Sequence, residues 1–477
     1  MTKQSPARSE WPLVFGLELI SRGKVRDTYR LAEKRLLVVA TDGISIFDFV
    51  LNALVPMKGV ILNAMNHFWL NYLAEFGFET HFIASGVDID KYLPEELRDD
   101  KDLQSRAMVV EELDMAKWEF IFRICLTGSG LSAYKENGEV CGHKLPEGLQ
   151  DGDELPYILD TPTTKAEEGH DEHASAELVR SAFPEATYRM INIVQIARAY
   201  AESKGIKLAD TKFEGSKDKL GDEVLTPDSS RFWDMQEWSK SRESTDKRKA
   251  PASLDKELVR IWGKSQGINK LDPKDLGDVD KVHAMIVPEE IISQTTATYR
   301  YIFWRLTGRT IEQYLREIML VDIPERAKKN VVIICGSATD LPVVKSVCDN
   351  SNTMHVISCH RNPEELAKFI KDISGFDIII GVGGKALALP GIIDAWIHSL
   401  GKNIPVAGVA LGEPESKALL AAQLSIEEIP GQPVIIDEME GHAYTGPSGL
   451  KKLLERITYG ELPPPKPRTE KSAQMYV

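Results

Sequence analysis

Four stretches in the first half of the chain carry residue types that chemistry needs, at spacings a strand can use. In SRGKVRDTY (21–29), Lys24 and Arg26 alternate. Alternate residues of a strand share a face, so both cations can address one phosphate chain. A solvated strand face fits the same spacing. In RICLTGSG (123–130), the planar fork of Arg123 suits a carboxylate or phosphate, and Gly128-Ser129-Gly130 lets backbone N–H groups approach an anion. A plain glycine turn between strands is the alternative. In TPTTKAEEGHDEHAS (161–175), hydroxyls and Lys165 crowd against Glu168, Asp171 and Glu172; a polar surface loop with an N-cap at its end fits equally. In LADTKFE (208–214), Asp210, Lys212 and Glu214 share one strand face, and Asp222 and Glu223 follow a hairpin-like turn. Carboxylates gathered this way repel unless a cation sits among them. Mg²⁺ is the natural one, taking hard oxygen ligands together with substrate phosphates. Exposed charges on an edge strand are the other reading.

A second group lies near the C-terminus. ICGSATDLP (334–342) reads as a strand, a Gly-Ser turn and a helix start, which presents N–H groups and hydroxyls to a phosphate. SCHRNP (358–363) places His360 and Arg361 at the end of the next strand, and GVGGKALALPG (381–391) is a third strand-end glycine loop. Ligands of open α/β sheets bind outside the carboxyl ends of the strands, where all three motifs fall.

These side chains need elements to hold them. RLLVVATD (35–42) reads as a strand, and LNAMNHFWLNYLAEFG (62–77) as a helix stopped by Gly77. MVVEELD and WEFIFRICL (108–126) read as two strands of one antiparallel sheet. Residues 135–175 lack periodicity and read as a long functional loop. Residues 174–204 predict an amphipathic helical region, 206–214 a strand, 234–275 a polar stretch and 288–320 further helices. After VDIPERAKKN the texture changes. Near-continuous apolar strands at 331–342, 354–363, 376–384 and 403–411 alternate with helical segments, which predicts a parallel α/β sheet. The expected domains are 1–320, a linker at 321–330, a second domain at 331–460 and a flexible Pro-rich tail at 461–477.

Composition bounds the function. The 477 residues are 43% hydrophobic and 27% charged, an ordinary globular balance, with a formal net charge of −14. An acidic chain is not built for bulk phosphate-backbone binding, so no nucleic-acid partner is expected. A local basic pocket for small anions is. Five widely spaced cysteines without a C-x-x-C pair point to a reducing cytosol. No apolar run reaches the roughly 20 residues of a membrane span, so a cytoplasmic location and no membrane partner are expected.

The ordered motifs GKVRD, TDGIS-FD, LTGSG, LPEGL, TPTTKAEEGHDE, LADTKFE and DEVLTPDSSRFW resemble the SAICAR synthetases of purine biosynthesis, over about residues 12–320. The resemblance implies an ATP-grasp-like α+β domain that joins L-aspartate to carboxyaminoimidazole ribotide (CAIR), giving SAICAR, ADP and phosphate, with ATP as co-substrate and Mg²⁺. It implies Lys24 and Arg26 at the ATP phosphates, Glu214 and Asp222 on Mg²⁺, and Lys212 and Asp210 in the catalytic set. Arg123, Ser129, Asp210, Asp228 and Arg231 would hold CAIR and aspartate, with Asp171 close by. The family usually carries Arg-Gly-Tyr where this chain has Arg123-Ile124-Cys125, and commonly an Arg where it has Gly43.

GSATD, SCHRNP and GVGG…LPG resemble the AIR carboxylase and N5-CAIR mutase family, over about 331–455. That implies a flavodoxin-like three-layer α/β/α domain forming CAIR from AIR and CO₂ or from N5-CAIR, usually in an octamer. Ser337, Asp340 and Arg361 would bind substrate. His360 would be the acid/base, since an imidazole titrating near neutrality suits proton transfer. The mutase form has a His just before Leu-Pro-Gly where this chain has Ala388. The expectation is therefore a bifunctional purine enzyme that forms a homo-oligomer. The alternative is a synthetase whose second domain is catalytically weak and serves oligomerisation.

Overall fold

The computed structural model describes residues 4–164, 174–243, 248–324, 327–348, 352–430, 432–438 and 440–464. Asp171, most of its loop, and the tail from 465 lie outside the described residues. The chain divides into two compact units, Met1–Glu325 and Arg326–Val477. No helix among the described residues is long and apolar enough to cross a membrane.

The first unit holds two main sheets. One runs Glu18–Arg22, Arg26–Ala32, Arg35–Ala40, Ala107–Glu111 and Phe82–Ser85 in spatial order, all antiparallel. The other is centred on Trp118–Cys125 and Ile206–Gly215, flanked by Glu154–Asp160, Leu220–Gly221 and Ser230–Asp234. The two strands read from 108–126 therefore sit in different sheets. The six residues between them (112–117) contain no two-residue turn signal, so the chain crosses over instead of folding back.

The 135–175 stretch is also more ordered than its sequence suggests. It finishes the helix Gly128–Asn137, forms a small hairpin, Glu139–Val140 with His143–Lys144, and contributes the strand Glu154–Asp160. Pro156 breaks that strand's alternation, and the register with Trp118–Cys125 shifts between Glu154 and Leu159, which hides the period. Likewise the polar stretch 234–275 carries the helices Met235–Arg242 and Glu257–Ser265.

The helix Lys58–Glu75 packs between the sheets and later helices. Val60, Ile61, Leu62, Met65, Trp69 and Leu70 are buried on several of its sides. Only Lys58 brings a charge into that buried first turn. A separate hairpin, Gly43–Ile46 with Phe49–Leu54, turns through Phe47 and Asp48 at φ 49° and 65°. This is the left-handed pair that matches strand twist in a two-residue turn.

The second unit is a five-stranded parallel sheet in the order Thr353–Val356, Val331–Cys335, Ile378–Gly384, Val406–Leu411, Tyr444–Thr445. In chain order that is 2-1-3-4-5, the doubly wound flavodoxin-like arrangement. Side chains split by strand period. Val332, Ile334 and Ile379 pack on helices Pro363–Asp372, Leu389–Ser399 and Lys417–Glu427, while Ile333, Ile378 and Ile380 pack on Leu341–Lys345 and Gly446–Tyr459. Three layers follow, as the family resemblance implies, around the parallel sheet that the apolar runs predict.

Candidate active site

A cleft of about 1490 Å³ opens in the first unit, lined by both sheets and by the helix Glu257–Ser265. The strand Ile206–Gly215 gives it Lys212 and Glu214, and an adjoining smaller pocket that shares Ser129, Lys212, Asp228 and Arg231 adds Arg123 and Asp210. Strand pairing sets Asp210 directly opposite Arg123 on one side and Arg231 on the other. Arg123 Nη1 donates to Asp210 Oδ2 at 3.0 Å, and Arg231 donates to the same oxygen. Arg123, 2% exposed, also donates to Thr161 Oγ1 and Ser129 Oγ, at 3.0 and 2.9 Å. One carboxylate thus orders two guanidiniums and leaves a net positive charge. The Gly128-Ser129-Gly130 turn makes room for them. A Cβ on Gly128 would meet Arg231 Nη1 at 2.8 Å, and one on Gly130 would meet Arg123 Nε at 2.9 Å. Admitting the arginines is thus a role the sequence reading of this turn did not include.

Two residues along the strand, Lys212 lies 2.6 Å from Glu119 and 3.3 Å from Glu214. Burial opposes its charge, yet Glu214 and Glu119 outweigh burial and raise its pKa, so it stays an ammonium. Glu214, 5% exposed, is paired across the ladder with Gly221, so Asp222 comes next in the same corner. Arg26 reaches in from the first sheet and bridges Asp222 at 2.6 Å and Glu223 at 3.1 Å. Lys24 is exposed and pairs with Asp48 of the hairpin at 2.6 Å.

Asp222 has φ 54°, uncommon for a residue other than glycine. Asn66 clamps this turn, donating to Asp222 O at 3.3 Å and accepting from Val224 N at 3.0 Å. Among the described residues no group of three or more His, Cys, Asp or Glu side chains forms a metal cage. Mg²⁺ does not need one, because it is commonly held by one or two carboxylates and completed by phosphate oxygens and water. Glu214 and Asp222 fit that donor set. Carboxylates outnumber lysines and arginines along the cleft, so the expected locally basic pocket is not what the fold builds. Acid and base are interleaved in ion pairs, Lys212 with Glu119 and Glu214 and Arg26 with Asp222 and Glu223, so phosphates bound there call for an added cation.

Asp228 anchors a group that sequence reasoning missed in part. Its side chain is 4% exposed, and its carboxylate accepts from Lys58 Nζ at 2.7 Å and from the Tyr299 hydroxyl at 2.5 Å. Burial alone would raise this carboxyl; Lys256 and Lys58 instead hold it well below the usual carboxylate range. Lys58, Lys256 and Tyr299 come from three helix segments distant in sequence. None stands out within its own local sequence, so the sequence carries only a faint signal for them.

In the second unit, Ser337 and Asp340 lie in the turn after Val331–Cys335, with Asp340 N donating to Ser337 O at 3.1 Å. Arg361 donates to Gly336 O at 2.9 Å, which brings the SCHRNP turn onto the GSATD turn. Gly336 N donates to Val382 O at 2.9 Å, so the glycine loop after Ile378–Gly384 adjoins them. This is where the strand order reverses, the usual ligand crevice of such sheets. Burial raises the Asp340 carboxyl. His360 is exposed at the same end.

A cleft that ranges a lysine, acidic pairs and arginines along one strand belongs to an enzyme that activates and joins anionic substrates. The chain matches the family model of SAICAR synthetase over residues 19–273, and that of AIR carboxylase over residues 330–400. A phosphoribosylaminoimidazole-succinocarboxamide synthase of Neisseria meningitidis serogroup C is 39% identical over 304 residues, covering 61% of this chain and 98% of the relative. The enzyme of that name from Pasteurella multocida is 41% identical over 297 residues, covering 60% and 96%. The solved SAICAR synthase of Saccharomyces cerevisiae in complex with SAICAR superposes with a TM-score of 0.53 at 32% identity, covering 62% of this chain and 97% of that one. The chain belongs to the SAICAR synthetase family and carries an AIR carboxylase-family domain behind it.

Proposed function

We propose that the first unit condenses L-aspartate with CAIR at the expense of ATP, giving SAICAR, ADP and phosphate, and that the second unit forms the CAIR from AIR and CO₂ or from N5-CAIR. The observation that carries the reading is the row Asp210, Lys212, Glu214 on one strand face, with Asp222 at its end and Arg123 and Arg231 on either side of Asp210. An imidazole carboxylate is a poor acyl donor. Phosphoryl transfer from ATP converts it to an acyl phosphate, which the aspartate amine attacks with loss of phosphate. No protein nucleophile is needed, so catalysis is positioning and charge stabilisation.

Arg123, Ser129 and Arg231 orient the ribotide and aspartate carboxylates, with Asp210 fixing both guanidiniums and Asp228 ordering the neighbouring cations. Lys212, held as an ammonium, faces the oxygens of the transferred phosphoryl group. Lys24 and Arg26 leave their carboxylate partners for the ATP phosphates. Glu214 and Asp222 would hold Mg²⁺, which supplies charge neutralisation at those phosphates when bound. Asp171 would approach from its loop. In the second unit, Ser337 and Arg361 hold the ribotide phosphate, Asp340 orients the substrate, and His360 moves the proton at C4 of the imidazole. Five widely spaced cysteines without a C-x-x-C pair support a cytoplasmic location. Assembly into a homo-oligomer, an octamer, would run through the second unit. Phosphate release from ATP tests the ligase reading. It should require both CAIR and aspartate, and release that ignores either one would sink it.

A further inference from the structure

Amide formation with aspartate has a requirement that the groups above do not meet. The substrate amine arrives as an ammonium without a lone pair, and a group in the cleft must take its proton before it can attack. Of the carboxylates there, burial raises Glu257, which Arg260 holds in an ion pair at 3.7 Å, and others are poor proton acceptors. Asp222 and Asp228 are held below the usual range by their cationic partners, and Glu112 by Arg30. His81 is the one histidine lining the cleft among the described residues. It is 7% exposed and lies behind Asp222, with burial lowering it to about 4.

Lys256 stands in a different setting. It is 9% exposed, lines the cleft and caps the N-terminus of the helix Glu257–Ser265, whose dipole disfavours a positive charge there. Its ion pair with Asp228 Oδ1 is 3.9 Å long, beyond hydrogen-bonding range, because Lys58 and Tyr299 already hold that carboxylate at shorter distances. The groups around it are Asp228 and Glu223 from the turn below, Lys58 and Tyr299 from two packed helices, and Asp255, Glu257 and Arg260 from its own segment. Burial first, and then Arg260 and Lys58 against the pull of Asp228, bring its amine down to about 8.

We propose that Lys256 is the general base that takes the proton of the attacking amine. The assignment rests on the acyl-phosphate reading above. Lys256 Nζ, neutral, accepts one proton from the aspartate ammonium. The freed lone pair forms the C–N bond at the acyl carbon, the C–O bond to phosphate breaks, and phosphate leaves with that electron pair and takes up the second proton that the nitrogen sheds. Asp228 then steadies the new ammonium of Lys256.

The test compares two nucleophiles on the full chain with CAIR and MgATP. Aspartate must lose a proton, whereas hydroxylamine is already a neutral amine near pH 7 and traps the same acyl phosphate as a hydroxamate. Lys256→Arg, which keeps the charge and cannot give up its proton, should lose on the order of 10²-fold in kcat with aspartate and little with hydroxylamine. Equal losses with both, or near-normal kcat with aspartate, overturn the assignment. An independent readout is the pH profile of the wild-type enzyme. With aspartate kcat should rise through about pH 8, and with hydroxylamine that limb should be absent; the same limb with both nucleophiles overturns it too. A wild-type enzyme that forms neither product refutes the ligase reading instead.

Discussion

Arg123 and Asp210 face each other across neighbouring strands, guanidinium to carboxylate at 3.0 Å, with Arg123 only 2% exposed. Burying a guanidinium this deeply is costly unless its donors are matched, and Asp210, Thr161 and Ser129 match three of them. Arg231 shares the same carboxylate oxygen, so the trio itself carries one net positive charge beside the cleft, with Asp255 and Glu257 acting on Arg231 from the next segment. That surplus is a prepared place for a substrate anion, and it exists only because three strands bring positions 123, 210 and 231 into register.

The glycine under Arg231 is the first test. Gly128 has φ 56°, and a Cβ there would lie 2.8 Å from the guanidinium. Gly128→Ala should destabilise the unit by about 1–2 kcal/mol from backbone strain alone, and it should raise KM for CAIR well beyond any change in KM for ATP. Matched changes in the two KM values would show that the turn does not position Arg231 for the ribotide.

Asp222→Asn removes one charge from the corner shared with Glu214 while Arg26 keeps Glu223 as a partner. The fold should persist by circular dichroism. Turnover should fall by on the order of 10²-fold or more, with the Mg²⁺ concentration for half-activity displaced upward. Near-normal turnover with unchanged Mg²⁺ dependence contradicts the metal assignment.

Asp228→Asn strips the carboxylate from the buried ammonium of Lys58, and leaving such a charge unpaired costs about 3–5 kcal/mol at neutral pH. The folded carboxyl is held below its unfolded value, so this stabilisation is present above about pH 4 and fades as pH falls below it. The gap in urea midpoint between wild type and variant should therefore be wide at neutral pH and narrow toward pH 3. A constant gap across that range would show that the charge is not what matters.

His360→Asn addresses the second unit. It should abolish CAIR formation and leave SAICAR production from supplied CAIR unchanged. Retained CAIR formation would remove His360 from the proton-transfer role.

What could be read from the sequence follows from how local each signal is. Asp210, Lys212 and Glu214 were legible because strand period places them on one face, and the parallel sheet because its strands are near-continuous apolar runs. The strand Glu154–Asp160 was hidden by Pro156 and a register shift. The two strands from 108–126 went to different sheets because sequence adjacency does not decide pairing. Lys58, Lys256 and Tyr299 gain meaning only around Asp228, and that convergence joins positions up to 71 and 170 residues away from it. The balance of charge in the cleft is hidden for the same reason, since Arg26 meets Asp222 across 196 residues.

The central claim is that one chain both makes CAIR and spends it. The direct measurement supplies the purified full chain with aspartate and MgATP, together with AIR plus bicarbonate in one reaction and N5-CAIR in another, and follows SAICAR by mass spectrometry. SAICAR from either mixture is the predicted result, and the productive substrate names the class of the second site. SAICAR from supplied CAIR alone, with none from either precursor, would contradict the claim and leave a synthetase whose second unit serves assembly.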